Sequence, residues 1–246
     1  MERRGDSGPM NLFWPGDLAA GEVRIEGEPA HHARVRRVQA GDAVRILDGR
    51  GHVASGKVLT GSKNALVVDV RTVSEVPRPV ALEVIVPVAD RDRMLLAAEK
   101  CVELQVTSWR PAYFARSRSV SPRGEGARFR DKVRARMQSA LEQSGGAWLP
   151  EVRDEAEIGD VWAGSAADLH RLVLDPDGPS LPSLAYNSPM AVAVGPEGGI
   201  EEQELTEARE RGWLTASVGQ AILRFETAII AGVAVIRAVQ LQRRSH

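Results

Sequence analysis

Hydrophobic and polar positions along this chain follow two different periods, and the change falls near residue 77. From about Leu12 to Val73 the apolar residues come in short runs: Val23-Arg24-Ile25, Ala43–Leu47, His52–Leu59 and Ala65–Val70. Runs this short predict strands, and Asp48-Gly49 and Gly61–Asn64 supply turns between them. One helical patch, Ala30 to Val38, interrupts the series. Strands of this length and spacing predict a small β-barrel over residues 10–76. Pro77-Arg78-Pro79 closes it, because two prolines in three residues resist helix and central strand alike.

Residues 80–246 read differently. Leu82–Val88 is apolar except for Glu83, and further strand runs lie near Ser108–Phe114, Leu172–Leu174, Ala191–Val194 and Leu214–Val218. Helical periodicity runs to about Val106, with Asp90 or Asp92 as its cap. It returns near Ala127–Gln143, Glu201–Arg211 and Arg224–Gln242. Near-continuous apolar strands joined by helices predict an α/β domain on a parallel sheet covered on both faces. The last helix is apolar on more than one face, as a helix buried by a partner surface would be.

Composition adds less than charge distribution. The 246 residues are 43% hydrophobic and 26% charged, the balance of a soluble globular protein with a sizeable core. A net charge of −1 exerts no overall pull on a polyanion. Locally, however, Arg116, Arg118, Arg123, Arg128, Arg130, Lys132, Arg134 and Arg136 face only Glu125 and Asp131 over the same stretch. That block is either a docking face for a polyanion or a solvated helix face. Arg34, Arg36 and Arg37 form a second basic group, suited to phosphate contact. Cys101 is the only cysteine, which excludes an intrachain disulfide and a cysteine metal cluster. His31 and His32 have no third ligand at metal spacing, so no metal is expected. Met1–Pro9 reads as unstructured. With no secretory signal and no apolar run of membrane length, a cytoplasmic, membrane-free protein is expected.

The most specific signal lies near the C-terminus. Val194-Gly195-Pro196-Glu197-Gly198-Gly199-Ile200 and Val218-Gly219-Gln220-Ala221-Ile222-Leu223-Arg224-Phe225-Glu226-Thr227-Ala228 are both glycine-bearing turns between an apolar run and a helix. Glycine lets the backbone approach a ligand closely, and such turns sit where parallel sheets bind small molecules. Neither matches a phosphate loop or a dinucleotide fingerprint.

These two segments resemble the SPOUT superfamily of S-adenosylmethionine-dependent RNA methyltransferases, and within it the RsmE family. The likeness extends over most of the chain. His32-x-x-Val35-x-Arg37-x-x-x-Gly41-Asp42 with Leu47-Asp48-Gly49 is similar to that family's PUA-like RNA-binding barrel. Glu99–Leu104 with Pro111, and Glu142-Gln143-Ser144-Gly145 with Pro150-Glu151-Val152, are similar to its central segments. The resemblance implies a trefoil-knotted C-terminal domain over 80–246, a homodimer and S-adenosyl-L-methionine as cofactor. The cofactor would be held by Gly195, Pro196, Glu197, Gly198 and Gly199, by Val218, Gly219, Ile222 and Leu223, and by Leu174. It implies methylation of N3 of a uridine in 16S (small-subunit) ribosomal RNA, naked or assembled. RNA would be met by Arg34, Arg36 and Arg37 and by Arg116, Arg118, Arg123 and Arg128. Four positions depart from the pattern, the first being Arg36, which stands where the family usually carries an apolar residue. Gln105 stands where the family usually carries glycine, Gly146 where it carries arginine, and Phe225 where it carries threonine. Gly146 and Phe225 are expected where RNA or the partner subunit is contacted.

The chemistry narrows the catalytic candidates. A uracil N3–H is a weak acid, so the enzyme must stabilise charge that develops on the ring as the proton leaves. Arg224 is the first candidate for that task, and Glu197 or Glu226 for taking the proton or organising the site. Alternatively, Arg224 forms an intrachain or interface salt bridge to a carboxylate such as Glu226. Two rival readings of the whole chain stand beside this one: the same fold methylating another RNA position, and a non-catalytic RNA-binding or ribosome-assembly protein.

Overall fold

The computed structural model describes residues 8–62, 64–119, 122–164, 168–184 and 188–242; most of the Met1–Pro9 tail lies outside them. The chain forms two compact units, one of residues up to Arg78 together with 138–149, the other of 79–137 and 150 onward.

The first unit contains β1 (Met10–Phe13), β2 (Gly21–Glu26), α1 (Glu28–Val35), β3 (Ala43–Leu47), β4 (His52–Gly61) and β5 (Ala65–Glu75). Its sheet runs β1-β3-β4-β5-β2, parallel between β1 and β3 and antiparallel elsewhere. Alternation turns Val23, Ile25, Val44, Ile46, Val58, Leu66 and Val68 inward around Leu12. Ala30 and Ala33 of α1 join this core, and α1 packs against β1, β2 and β5. Residues 138–149 belong here because Glu142 anchors them: its carboxylate accepts from Phe13 N at 2.7 Å, and its carbonyl from Asn11 Nδ2 at 2.8 Å.

Asp48 organises the β3–β4 turn from a buried position. Its carboxylate accepts from Arg50 N at 2.7 Å and His52 N at 3.0 Å, and lies 2.7 Å from His52 Nδ1. Burial alone would raise the pKa of this group. The hydrogen bonds from Arg50 and His52 outweigh burial and hold the carboxyl below its ordinary value. A carboxyl depressed on folding stabilises above its unfolded pKa, about 4, and the contribution disappears as pH falls through the lower folded value. Asp48→Asn is therefore expected to cost about 1–2 kcal/mol at pH 7. The cost should fade in strong acid, as urea melts at both pH values would report.

The second unit alternates strands and helices: β6 (Leu82–Pro87), α2 (Arg91–Glu103), β7 (Ser108–Tyr113), α3 (Ala127–Ser144), β8 (Glu151–Val152), β9 (Ala156–Glu157), α4 (Ile158–Gly164), β10 (His170–Leu174), α5 (Leu181–Leu184), β11 (Met190–Val194), α6 (Glu202–Glu210), β12 (Leu214–Ala216) and α7 (Phe225–Gln242). The sheet is wholly parallel in the order β12-β10-β11-β6-β7-β8, with β9 also pairing β7. Every residue of β6 and β11 is buried, as strands covered on both faces require. On one face Ile85, Val173 and Ala193 pack with Trp162 of α4 and Leu205 and Ala208 of α6. Helices α2 and α7 pack together, and α7 lies on β6 and β11. Cys101 is buried in α2, where burial pushes its thiol pKa up. No helix among the described residues is long and apolar enough to cross a membrane.

Helix α2 explains the departure at Gln105. Gln105 N donates to Val102 O at 2.9 Å and Val106 N to Cys101 O at 2.8 Å, the paired bonds of a Schellman C-terminus. That motif puts Gln105 at φ +57°, the left-handed region that glycine enters without strain. Its carbonyl is held by the buried Arg237 of α7. Gln105→Gly is expected to raise stability by about 0.5–1 kcal/mol, because left-handed strain exceeds the entropic penalty of glycine. Urea denaturation at constant m-value would measure it.

Candidate active site

Strands β10, β11 and β12 end at the same height, with Leu174 level with both Val194 and Ala216. Their outgoing loops therefore converge, and they enclose a cavity of about 390 Å³. The first loop contributes Leu174, Asp175, Pro176 and Asp177, and the second Val194, Gly195, Pro196, Glu197, Gly199 and Ile200. The third supplies Ser217, Val218, Gly219, Ala221, Ile222 and Leu223, with Phe225 and Ala228 of α7 and Glu202, Leu205 and Arg209 of α6 completing the wall.

Local geometry accounts for the glycines. The second loop folds back on itself so tightly that a Cβ on Gly195 would lie 2.4 Å from Ile200 Cγ1. Gly199 N closes the turn on Pro196 O at 2.8 Å, with φ +79°. All the cofactor residues expected from the sequence line the cavity except Gly198, which packs on the stem of Arg116 instead. Asp175, Pro176 and Asp177 were not anticipated. Asp175-Pro176-Asp177-Gly178 is legible as a turn after a strand, and Asp177 N does donate to Asp175 Oδ1 at 2.9 Å. Phe225 corrects an expectation: it is not at an outer contact surface but is buried, 2% exposed, in the cavity wall.

The wall is asymmetric in charge. Asp175, Asp177, Glu197 and Glu202 stand against the single Arg209, which pairs with Glu202 at 2.8 Å. Glu197 forms an ion pair with Arg93 of α2. The three catalytic candidates have separate surroundings. Arg224 is exposed and its guanidinium meets no partner among the described residues. Glu226 is buried in the first turn of α7, where the helix dipole favours a negative charge, and its Oε2 has no hydrogen-bond partner among the described residues. Within the chain, Arg224 and Glu226 form no salt bridge.

The basic block is largely neutralised within the second unit. Arg123 pairs with Glu125 at 2.9 Å, Arg134 with Asp131 at 3.0 Å and Arg136 with Glu99 at 3.1 Å. Arg130 engages Asp154 and Glu155, and Arg116 reaches Gly198 O and Glu201. Arg128 and Lys132, one helical turn apart, remain exposed without an ion pair among the described residues; the side chain of Arg118 lies outside them. In the first unit Arg34, Arg36 and Arg37 are all exposed. Arg34 Nη2 lies 3.3 Å from His31 Nδ1.

Three loops around a cavity at the carboxyl ends of parallel strands define the class of α/β proteins that bind a small molecule at the edge of the sheet. A family model described as an RNA methyltransferase domain matches residues 76–237, and one described as an RNA methyltransferase PUA domain matches 25–71. The chain belongs to the RNA methyltransferase domain family. It is 29% identical over 235 residues to the ribosomal RNA small subunit methyltransferase E of Synechocystis sp., covering 92% of this chain and 76% of that protein. Among solved structures, the ribosomal RNA small subunit methyltransferase E of Neisseria gonorrhoeae bound to S-adenosyl methionine superposes with a TM-score of 0.85 at 24% identity, over 94% of this chain and 98% of that one. A probable rRNA-methyltransferase from Porphyromonas gingivalis gives 0.78 at 25% identity, over 96% and 100%.

Proposed function

We propose that this protein is an S-adenosylmethionine-dependent methyltransferase acting on N3 of a uridine in small-subunit (16S) ribosomal RNA. The observation that carries the proposal is the cavity at the ends of β10, β11 and β12, in a chain whose relatives are ribosomal RNA methyltransferases. Its volume falls in the range of roughly 300–1,000 Å³ usual for small-molecule sites. Apolar Leu174, Val194, Leu205, Leu223 and Phe225 suit a flat heterocycle, and an excess of carboxylates suits a ligand with positive charge. When bound, S-adenosylmethionine supplies a methyl group activated on a cationic sulfur.

The chain's own residues then have distinct tasks. Gly195–Gly199 and Val218–Leu223 present backbone groups to the cofactor, and Asp175 and Asp177 face it from the third side. Arg224, with no partner among the described residues to compete for it, stabilises negative charge on the uracil as N3 loses its proton. Glu226, already desolvated, and Glu197, held by Arg93, are the carboxylates for proton removal and site organisation. Arg128 in the second unit, and Arg34, Arg36 and Arg37 in the first, contact RNA phosphates. Arg37 sits at φ +56° after α1. A glycine would be more comfortable there, so the guanidinium is retained at a backbone cost. The apolar residues of α7 that stay half-exposed, Ile230, Ala231, Ala234 and Val235, with exposed Leu241, fit burial by a second copy in a homodimer. Its site of action is the cytoplasm, where the RNA is.

The test is methyl transfer from labelled S-adenosylmethionine to small ribosomal subunits from cells lacking this activity, with the modified nucleoside identified by mass. N3-methyluridine is expected. Another methylated nucleoside would move the target, and absence of label despite cofactor binding would favour a non-catalytic role.

A further inference from the structure

The loop from Gly195 to Ile200 is held from outside the cavity at successive points, by two arginines that do not line it. Arg93 lies in the first turn of α2, where Asp90 Oδ1 accepts from both Asp92 N and Arg93 N at 3.1 Å. With its backbone fixed in this way, Arg93 extends its guanidinium to the Glu197 carboxylate. Arg116, in the 3-10 turn Ala115–Ser119, donates from Nη1 to Gly198 O at 2.5 Å. Its Nε lies 3.5 Å from Glu201 Oε1. Gly198 makes this approach feasible, because a Cβ there would lie 3.2 Å from Arg116 Cβ. The same turn is stitched to α6 by Ala115 N, which donates to Glu204 Oε1 at 2.8 Å, while Glu204 Oε2 caps the backbone at Glu201 N at 2.9 Å. A single planar guanidinium thus contacts a carbonyl and a carboxylate, a geometry lysine cannot reproduce.

We infer that Arg93 and Arg116 are positioning residues, which fix the 195–200 loop for the cofactor and set cofactor affinity rather than RNA affinity. The inference rests on the proposed cofactor site. It reassigns Arg116, expected from the sequence to contact RNA, and gives a role to Arg93, which lies outside the motifs. The physical reason is that both guanidiniums are directed at the loop that presents Pro196, Glu197 and Gly199 to the cavity. Without them this half-exposed loop gains conformations that binding must remove.

The experiment uses the full chain carrying Arg93→Met, Arg116→Met, Arg93→Lys, Glu197→Gln or the Arg93→Met/Glu197→Gln pair. Methionine keeps the apolar stem and removes the charge. Three quantities are read: the Kd for S-adenosylhomocysteine by calorimetry, amide hydrogen exchange across 195–200 in the ligand-free protein, and the Kd for a small-subunit ribosomal RNA fragment. Each methionine variant is expected to bind S-adenosylhomocysteine about fivefold more weakly, the upper range for a partly solvated ion pair. Exchange should be faster in the loop alone, and RNA affinity should stay within about twofold. Arg93→Lys should restore most of the loss, and in the double variant Arg93→Met should add little to the loss from Glu197→Gln alone, since the ion pair is already gone. Unchanged cofactor affinity and unchanged exchange would overturn the inference, and so would an RNA defect as large as the cofactor defect. If the unsubstituted chain fails to bind S-adenosylhomocysteine, the cofactor reading falls, while hydrogen exchange still decides whether these arginines position the loop.

Discussion

Arg224→Ala is expected to slow methyl transfer about 10²–10³-fold, the usual loss when one preorganised charge stabiliser is removed. Affinity for S-adenosylhomocysteine should remain nearly unchanged. The size of the effect follows from the chemistry, since nothing can be transferred to N3 until its lone pair is released from the N–H bond. Its selectivity follows from the structure. Arg224 is exposed and its side chain has no partner among the described residues, whereas its neighbours Leu223 and Phe225 line the cavity. Single-turnover kinetics would separate the two quantities. The deficit should narrow as pH rises, because uracil then ionises with less help, and Arg224→Lys should recover part of the rate. A rate unaffected by removal of the guanidinium would assign charge stabilisation to another group.

The second large effect comes from a position with no functional side chain. Gly178 closes the 175–178 turn, donating to Asp175 O at 3.1 Å, with its Cα packed against β12. A Cβ there would lie 2.7 Å from Ala216 N and 2.9 Å from Ala216 Cα and C. These are backbone atoms in a paired strand, so they cannot swing aside as a side-chain tip would. Gly178→Ala is expected to cost about 1–3 kcal/mol of stability through overpacking. It should also weaken cofactor binding about tenfold or more, equivalent to about 1.4 kcal/mol, because Asp175 and Asp177 move with the turn. A urea melt and a calorimetric titration would measure both. A variant with normal affinity would show that the first loop contributes little to binding.

How much of this was legible depended on the range of the interaction involved. Strands β6 and β11 are apolar but for Glu83 because both faces are covered, so the sequence marks them almost to the residue. Strands β8 and β9 have two residues each and no period to detect, and β1 is four residues whose partner, β3, comes 30 residues later. The glycine loops were visible because glycine is locally diagnostic. Asp175 and Asp177 were not, since an Asp-Pro-Asp-Gly turn looks alike whether or not it borders a cavity. The pairing of the basic block was hidden for a similar reason. Its counter-charges, Glu99, Asp154 and Glu155, are remote in sequence, and local charge counting cannot find them. Gln105 shows the reverse, a departure legible only by resemblance, whose left-handed backbone explains why the related pattern carries glycine there.

The return of residues 138–149 to the first unit has a consequence for taking the protein apart. Helix α3 begins in one unit and ends in the other, so neither unit corresponds to a continuous stretch of gene. A fragment ending at residue 78 would lack the Glu142 carboxylate that receives the Phe13 amide, and would leave Gly49 and Gly51 without Leu149 and Ala147, their backbone partners. A fragment starting at 79 would carry the 138–149 insert with its binding surface missing, exposing Leu141 and Ala147. Domain-swapped chimaeras between relatives would therefore need three junctions, one near 78 and a pair flanking 138–149, to exchange the first unit intact.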